Sequence, residues 1–197
     1  MAGQSPVCYL CQNEKTMKIA FISDMHGSAW ATRRVLEAAD AWGADRIAVL
    51  GDVMNHGPRN PFPEEYDPMT VSELLNARRD RVVAVRGNCD SEVDQMILQY
   101  PMMADYALLV LPERDIFLTH GHIYGPENPP ALRPGSVLAF GHIHTPVIET
   151  GADGIVYFNP GSAALPKTPY PHTWGRYAHG LLEIVDLDGN VIKSKTL

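Results

Sequence analysis

The chain has 197 residues, 45% of them hydrophobic, which is long enough for one domain with a substantial core and short for two. Its formal net charge of −7 argues against a protein that grips a nucleic-acid backbone, because neutralising phosphates needs a dense basic surface. The sequence contains no run of about 18 apolar residues and no basic segment followed by an apolar one at its start, so we expect a cytoplasmic protein without a membrane span.

The three cysteines, Cys8, Cys11 and Cys89, are too few for a disulfide scaffold and fit a reducing compartment. Cys8 and Cys11 form a CxxC motif, but no second CxxC and no histidine pair at finger spacing follows it, so we expect no structural zinc there. The motif lies within residues 1–16, which show no clear period. We interpret 1–16 as an N-terminal appendage (a leader, an over-extended start or a disordered tail) before a single domain over 17–197.

The first predicted elements alternate between strand and helix. A strand is predicted over 18–23, a helix from about Ala29 to Trp42, and a second strand over 46–50. Ser28 is the predicted N-cap of the helix and Gly43 its predicted stop. A strand, a helix and a strand in this order indicate a right-handed parallel unit.

A proline-rich loop over 58–68 precedes a predicted helix from Thr70 to Arg79, a strand over 81–85 and a helix from Ser91 to Tyr100. The second half is rich in predicted strands, at 106–111, 115–119, 137–140, 154–158, 179–186 and 190–195. The pattern predicts an α/β fold, a four-layer α-β-β-α sandwich of two stacked mixed sheets flanked by helices. Apolar edge strands in the second half lead us to consider a homo-oligomer.

Five predicted strands are each followed at once by residues of the types that bind metal ions. These residues are Asp24 and His26, Asp52, Asn88 and Asp90, His120 and His122, and His142 and His144. In sheets of this class ligands gather at the carboxyl ends of strands, so we expect these side chains to converge. Carboxylate, imidazole and amide groups suit Mn²⁺, Fe²⁺, Zn²⁺ or Co²⁺, and two such ions about 3.5–4 Å apart can clamp a phosphate.

Each of these motifs has a structural alternative when it is taken alone. Asp24 and His26 are also typical of turns and helix caps, and Asp90 or Ser91 can cap the helix that follows. The histidines on either side of Ile143 could be surface residues on an edge strand. The five strand ends together favour a metal site. Within it we interpret Asp90 as a residue that orients a ligand, and the role of His122 stays open.

The motifs DMH (24–26), GD (51–52), GNCD (87–90), HGH (120–122) and GHIH (141–144) resemble the signature of the calcineurin-like metallophosphoesterase family, in the order typical of that family. Longer strings, including GDVMNHGPRN and FNPGS, closely resemble the small bacterial phosphodiesterases of the family, from Met17 to the C-terminus. The resemblance implies a hydrolase for small phosphate esters, with diesters as the first choice. A phosphomonoesterase, a nuclease and a non-catalytic scaffold are the alternatives.

The resemblance also implies a ligand set for two divalent ions, for which Mn²⁺ is the first choice and Fe²⁺, Zn²⁺, Co²⁺ and Ni²⁺ are alternatives. One ion would be held by Asp24, His26, Asp52 and His144, and the other by Asp52, Asn88, His120 and His142. A hydroxide between them would attack phosphorus, and Asn88 would also lie near a phosphate oxygen.

The sequence departs from the family pattern at Cys89. Many larger members carry a histidine after the GN motif, where it protonates the leaving group or stabilises its charge. A thiol is a poorer general acid at neutral pH than a tuned imidazole, so leaving groups of low pKa are favoured unless His122 or His56 substitutes. The resemblance therefore places Asn88, Cys89, Asp90 and His122 in the catalytic region and leaves the proton donor open.

Overall fold

The computed structural model describes residues 17–197. The predicted appendage over 1–16 and its CxxC motif lie outside the described residues, and the predicted domain over 17–197 stays a prediction. None of the helices in the described part of the chain has the length and apolarity needed to cross a lipid bilayer.

The described elements alternate between strand and helix up to residue 97 and are all strands after it. In chain order they are β1 (Ile19–Ile22), α1 (Ala29–Trp42), β2 (Arg46–Val49), α2 (Pro68–Asn76), β3 (Val82–Ala84), α3 (Glu92–Ile97), β4 (Tyr106–Val110), β5 (Asp115–Thr119), β6 (Val137–Ala139), β7 (Pro146–Thr150), β8 (Val156–Pro160), β9 (Thr173–Ala178), β10 (Leu181–Asp186) and β11 (Val191–Thr196).

These strands form two mixed sheets. The six-stranded sheet has the order β11-β10-β9-β1-β2-β3, with β1, β2 and β3 parallel. The five-stranded sheet has the order β4-β5-β6-β8-β7, with β5, β6 and β8 parallel. The sheets share an apolar core in which Phe21 of β1 and Phe158 of β8 meet edge to face, with their ring centroids 5.1 Å apart.

The helices flank the six-stranded sheet. Buried residues such as Val35, Leu36 and Leu75 pack with Ile22 and Val49 in a second core cluster. On the outer face of the five-stranded sheet, loop residues Tyr124 and Leu132 pack against a smaller apolar cluster. The predicted α/β sandwich of two stacked mixed sheets with flanking helices is confirmed by this arrangement.

The predicted limits of α1 agree with the structure. The Ser28 hydroxyl accepts a hydrogen bond from the Ala31 N–H (3.1 Å), and Gly43 takes the left-handed conformation at φ 79° that ends many helices. The helix α2 begins two residues before Thr70, because Asp67 caps it and Pro68 fits its first turn. The helix α3 ends at Ile97, well before Tyr100, because Leu98 is extended.

Two strands, β7 and β9, escape the sequence prediction. The segment Thr173–Ala178 has Gly175 in its middle, which is unfavourable for a strand. The structure requires the glycine, because a Cβ there would overlap the ring of Phe158. The edge strand β4 exposes Tyr106, Leu108 and Val110, and the homo-oligomer suggested by such edges stays a prediction.

Candidate metal centre

The loops after the parallel strands meet at one end of both sheets. The Asp24 N–H donates to the Gly51 carbonyl (3.2 Å), and the His26 N–H donates to the Asp52 carbonyl (2.9 Å), which joins the loops after β1 and β2. The His142 N–H donates to Asp24 Oδ2 (3.1 Å) and thereby links the two sheets. Residues more than a hundred positions apart in the chain therefore face one site, as the strand-end pattern predicts.

Five of the seven predicted ligands have a left-handed backbone conformation. The φ angles are 56° at Asp24, 48° at His26, 53° at Asp52, 69° at His142 and 57° at His144. Such angles cost energy in residues other than glycine and persist only where the surrounding structure enforces them. Their concentration at one place marks this end of the sheets as the candidate functional site.

Two glycines allow the loops to approach each other closely. A Cβ on Gly87 would overlap the Asp52 backbone nitrogen and its Oδ1, and a Cβ on Gly141 would overlap the Ser23 hydroxyl. Neither glycine has a positive φ, so the requirement is steric. These contacts explain why glycines stand beside the polar residues in the GNCD and GHIH motifs.

The buried carboxylates of Asp24 and Asp52 each have one oxygen held by the protein. Asp24 Oδ2 accepts hydrogen bonds from the Ser23 hydroxyl (2.7 Å) and the His142 N–H, while the buried Oδ1 has no backbone or hydroxyl donor among residues 17–197 and lies 3.2 Å from His144 Nε2. Asp52 Oδ1 accepts from the Cys89 N–H (2.8 Å), and Oδ2 lies 3.4 Å from His120 Nε2. Each carboxylate therefore turns one oxygen towards the site.

Three histidines are oriented in the same way. The Nδ1 atoms of His26, His120 and His144 lie 2.9, 2.7 and 2.6 Å from the backbone carbonyls of Asn55, Leu50 and Leu165. A carbonyl can only accept, so each Nδ1 carries the proton and Nε2 is left for the site. Backbone carbonyls orient metal-bound histidines in the same manner.

The donor atoms form three groups in which the atoms all lie within 4.8 Å of one another. The groups are Asp24, His26 and His144; Asp24, Asp52 and His120; and His26, Asp52 and Cys89. Buried carboxylate oxygens with imidazole nitrogens turned towards them are a donor set that suits a divalent cation of the borderline class. The residues present therefore fit metal ions.

The other predicted site residues lie around these groups. Asn88 is exposed, and its Oδ1 lies 3.1 Å from His120 Nε2. The half-buried ring of His142 packs edge to face on His120, with the centroids 5.1 Å apart, and lies outside the three groups. The ring of His122 contacts His120 from another side at 5.3 Å, and its buried Nδ1 has no hydrogen-bond partner in the described chain.

Electrostatic coupling shifts the pKa values of the site. Burial lowers the pKa of His120, but the hydrogen bond and charge of Asp52 and the charge of Asp24 raise it to about 9. Burial also opposes protonation of His144. The hydrogen bond and negative charge of Asp24 outweigh the effect of burial and raise the pKa of His144. Burial would raise the pKa of Asp52, whereas the hydrogen bond from His120 holds it well below its usual value. The two carboxylates therefore attract positive charge.

Asp90 lies under the site. Its carboxylate accepts hydrogen bonds from the backbone N–H groups of Asp52 (2.8 Å), Val53 (2.8 Å) and Gly87 (2.7 Å). Burial raises its pKa to about 6, although these three donors act in the opposite direction. Its position is that of a residue that holds the loops after β2 and β3 together and so orients Asp52 and Asn88.

Cys89 is half-buried beside the predicted metal ligands. Burial and the charge of Asp52 raise the pKa of its thiol to about 12. The thiol therefore stays neutral at physiological pH and is a weak proton donor. His56, the other residue considered as a donor, stacks on Phe62 with the ring centroids 4.3 Å apart.

A cavity of about 370 Å³ opens onto Asp52, Asn88, Cys89, His142 and His144. Arg59 and Lys167 line it, and neither side chain has an ion pair or hydrogen bond with the described residues. Arg86, which directly precedes the GNCD motif, pairs with Asp105 at 2.7 Å. Lys167 escapes the sequence analysis because it lies in the loop after β8 beyond the FNPGS string, where no recognisable pattern continues.

A second cavity of about 560 Å³ adjoins the first, and His142 and Ile143 line both. The second cavity also contains His122 and an apolar surface that includes Phe140, Val147 and Tyr157. The two openings therefore meet at His142, one of the predicted metal ligands.

The NPGS segment (159–162), at the end of β8, holds the strand-end loops in place. The Asn159 amide donates to the Gly141 carbonyl (2.7 Å), and the Ser162 hydroxyl donates to the Asp24 carbonyl (2.9 Å). Ser23 and Asn55 were missed by the sequence analysis, because each acts through a contact that only the folded chain creates.

Comparisons with known proteins agree with the fold and the motifs. The calcineurin-like phosphoesterase superfamily domain matches residues 17–178. Phosphodiesterase YfcE of Escherichia coli K12 is 49% identical over 176 residues, which cover 89% of this chain and 95% of that protein.

Two solved structures have the same fold as this chain. The structure of YfcE, a phosphoesterase from E. coli, has a TM-score of 0.89 at 48% identity and covers 91% of this chain and 99% of its own. A structure from Streptococcus pneumoniae TIGR4, 20% identical with a TM-score of 0.59, covers 93% of this chain and 98% of its own and shares the fold. The chain therefore belongs to the calcineurin-like phosphoesterase superfamily.

Proposed function

We propose that the protein is a metal-dependent phosphodiesterase that acts on small phosphate diesters in the cytoplasm. The observation that carries the proposal is the arrangement of Asp24 and Asp52, each with one oxygen turned towards the Nε2 atoms of oriented histidines. The 49% identity to a protein named as a phosphodiesterase supports the reaction class. The thiol of Cys89 beside the site fits a reducing compartment.

Two divalent ions, with Mn²⁺ as the first choice, would be held by the ligand sets that the family resemblance implies. Asp24, His26, Asp52 and His144 would hold one ion, and Asp52, Asn88, His120 and His142 the other. When bound, such ions neutralise phosphate charge and lower the pKa of a coordinated water. Their identity and their number belong to the proposal.

The residues of the chain have separate tasks in this reaction. Asn88 and the unpaired cations Arg59 and Lys167 line the first cavity, where they would bind phosphate oxygens and offset the negative charge that develops on the leaving group. The neutral thiol of Cys89 donates a proton poorly, so we expect leaving groups of low pKa to be the better ones. Asp90 holds Asp52 in place through the backbone.

A phosphomonoesterase or a nuclease on the same centre is the first alternative. The net charge of −7 disfavours a nuclease, because a long nucleic acid needs many cationic contacts and the first cavity offers Arg59 and Lys167. A non-catalytic scaffold is the second alternative. All seven ligand positions are filled by ligand-type residues, which favours an active site over a scaffold.

The test compares wild type with Asp52→Ala and His142→Ala on bis(p-nitrophenyl) phosphate in Mn²⁺. We expect both variants to lose measurable hydrolysis, while Glu37→Gln on the exposed side of α1 keeps wild-type turnover. Normal turnover in Asp52→Ala would overturn the proposal. Assays with p-nitrophenyl phosphate and with a nucleic acid at the same Mn²⁺ concentration decide between diester, monoester and nucleic-acid substrates. Elemental analysis tests the scaffold alternative, which would be favoured if the protein holds no metal after loading with Mn²⁺.

A further inference from the structure

Two cavities of different chemistry flank the candidate metal centre. The first contains Arg59 and Lys167, whereas no lysine or arginine lines the second. His142 and Ile143 form the boundary between them. A phosphate diester has two substituents on phosphorus and a monoester has one, so a site with an opening on each side of its ligands matches a diester.

The second cavity offers an apolar surface to a bound group. Phe140 and Tyr157 are buried, and Val147 and Ile143 complete this surface. A flat apolar group that enters such a cavity loses contact with water and gains contact with aromatic rings, and both effects favour binding. The volume of about 560 Å³ lies within the range of small-molecule sites.

Two carboxylates give the second cavity a negative rim. Glu127 and Glu149 line it, both are exposed, and neither has an ion pair or hydrogen bond with residues 17–197. Unpaired carboxylates repel an anionic group that approaches them, although water and salt weaken the repulsion. Uncharged groups do not meet this barrier.

The first cavity suits the group that departs. Negative charge develops on the leaving oxygen, and Arg59 and Lys167 stabilise that charge, whereas Glu127 and Glu149 would destabilise it. These charges favour departure of the leaving group through the first cavity. The second cavity is then left for the substituent that stays on phosphorus.

We propose that the second cavity is a specificity site that binds the ester group retained on phosphorus and selects an uncharged, apolar group, such as an aryl ring, over an anionic one. The inference rests on the proposed phosphodiesterase function and names the substrate class of the same site. Glu127 and Glu149 are the residues that exclude anions, and Phe140, Val147 and Tyr157 are those that bind the ring.

The test uses two diesters that share the p-nitrophenolate leaving group, phenyl p-nitrophenyl phosphate and 4-carboxyphenyl p-nitrophenyl phosphate. We expect the Mn²⁺-loaded enzyme to prefer the phenyl ester in kcat/KM by about fivefold or more, the size of the repulsion between two unit charges about 4 Å apart in bulk water. The double variant Glu127→Gln/Glu149→Gln should bring the ratio close to one. Glu37→Gln, which removes one carboxylate charge outside both cavities, should keep the wild-type ratio.

A binding measurement complements the kinetics. Calorimetry measures the binding of phenylphosphonate and 4-carboxyphenylphosphonate, which the enzyme cannot hydrolyse, to the Mn²⁺-loaded protein. We expect wild type to bind phenylphosphonate more tightly than the carboxylated compound, and the double variant to bind the two with equal affinity. Hydrolysis of both diesters at equal kcat/KM, or a preference for the carboxylate, would overturn the inference and leave the phosphodiesterase proposal standing. If neither diester is hydrolysed, the phosphodiesterase proposal itself is wrong.

Discussion

The Nε2 atoms of His26 and His144 lie 3.2 Å apart, and the Nδ1 atom of each ring is held by a backbone carbonyl. Two neutral rings in this tautomer would point lone pairs at each other, so the pair requires a shared proton or a cation. Asp24 Oδ1 lies 3.2 Å from His144 Nε2 and adds a negative charge at the same point. The short distance between the two Nε2 atoms, next to a carboxylate oxygen, is the most specific structural feature that indicates a cation site.

Metal binding should therefore release protons. The carboxylates raise the pKa of His144 and raise that of His120 to about 9, so at neutral pH the metal-free site holds protons that an ion must displace. The affinity for Mn²⁺ should rise as the pH increases from 6.5 towards 9, because fewer protons compete. Calorimetry in two buffers of different ionisation enthalpy measures the protons released, and we expect about one or more per protein at pH 7. Binding without proton release would contradict this account.

Replacing Asp90 should weaken both the fold and the site. Asp90→Ala leaves the buried N–H groups of Asp52, Val53 and Gly87 without their acceptor, which should lower the free energy of unfolding by about 3 kcal/mol or more. Asp90→Asn keeps one acceptor oxygen and should lose less. Urea unfolding of the metal-free variants gives the energies, and Mn²⁺ titration tests whether affinity falls with them. Wild-type stability in Asp90→Ala would be inconsistent with the three hydrogen bonds.

Adding a methyl group at Gly87 should disrupt the site through sterics alone. A Cβ there meets the Asp52 backbone and carboxylate, so Gly87→Ala should displace Asp52 and destabilise the protein by about 1–3 kcal/mol. Gly135→Ala serves as a control, because a Cβ at Gly135 meets no atom within 4 Å and its cost comes from the φ of 86°. Activity on bis(p-nitrophenyl) phosphate should fall sharply in the first variant and stay near wild type in the second. Equal activities would argue against close approach at Gly87.

The residue at position 89 should control the choice of leaving group. Because the pKa of the Cys89 thiol is raised to about 12, Cys89→His replaces a weak acid with an imidazole that protonates near neutral pH. We expect turnover of diesters with poor leaving groups to increase by up to about 100-fold, with a smaller gain for p-nitrophenyl esters. The measurement is the slope of log kcat against leaving-group pKa, which should become less steep. An unchanged slope would assign the proton to another donor.

Much of the fold follows from local patterns. The apolar runs around Phe21, Ala48 and Leu118 predict buried strands because they are short, rich in branched side chains and bounded by glycine or polar residues. Ser28 and Gly43 mark the ends of α1 because capping and left-handed conformation depend on nearest neighbours. The strand β9 was missed because its glycine is required by Phe158, a residue from the other sheet.

The sequence by itself determined which residues stand at the strand ends, since the alternation of apolar runs and polar turns is a property of neighbouring residues. Asp24, Asp52 and His120 were predicted site residues on that basis, and the tertiary structure brings one donor atom of each within 4.8 Å of the others. Only the tertiary structure decided how each group is used. The tautomer of His26, the orientation of Asp24 Oδ1 towards His144 and the place of Lys167 in the first cavity depend on contacts between distant segments, and no local pattern records such contacts.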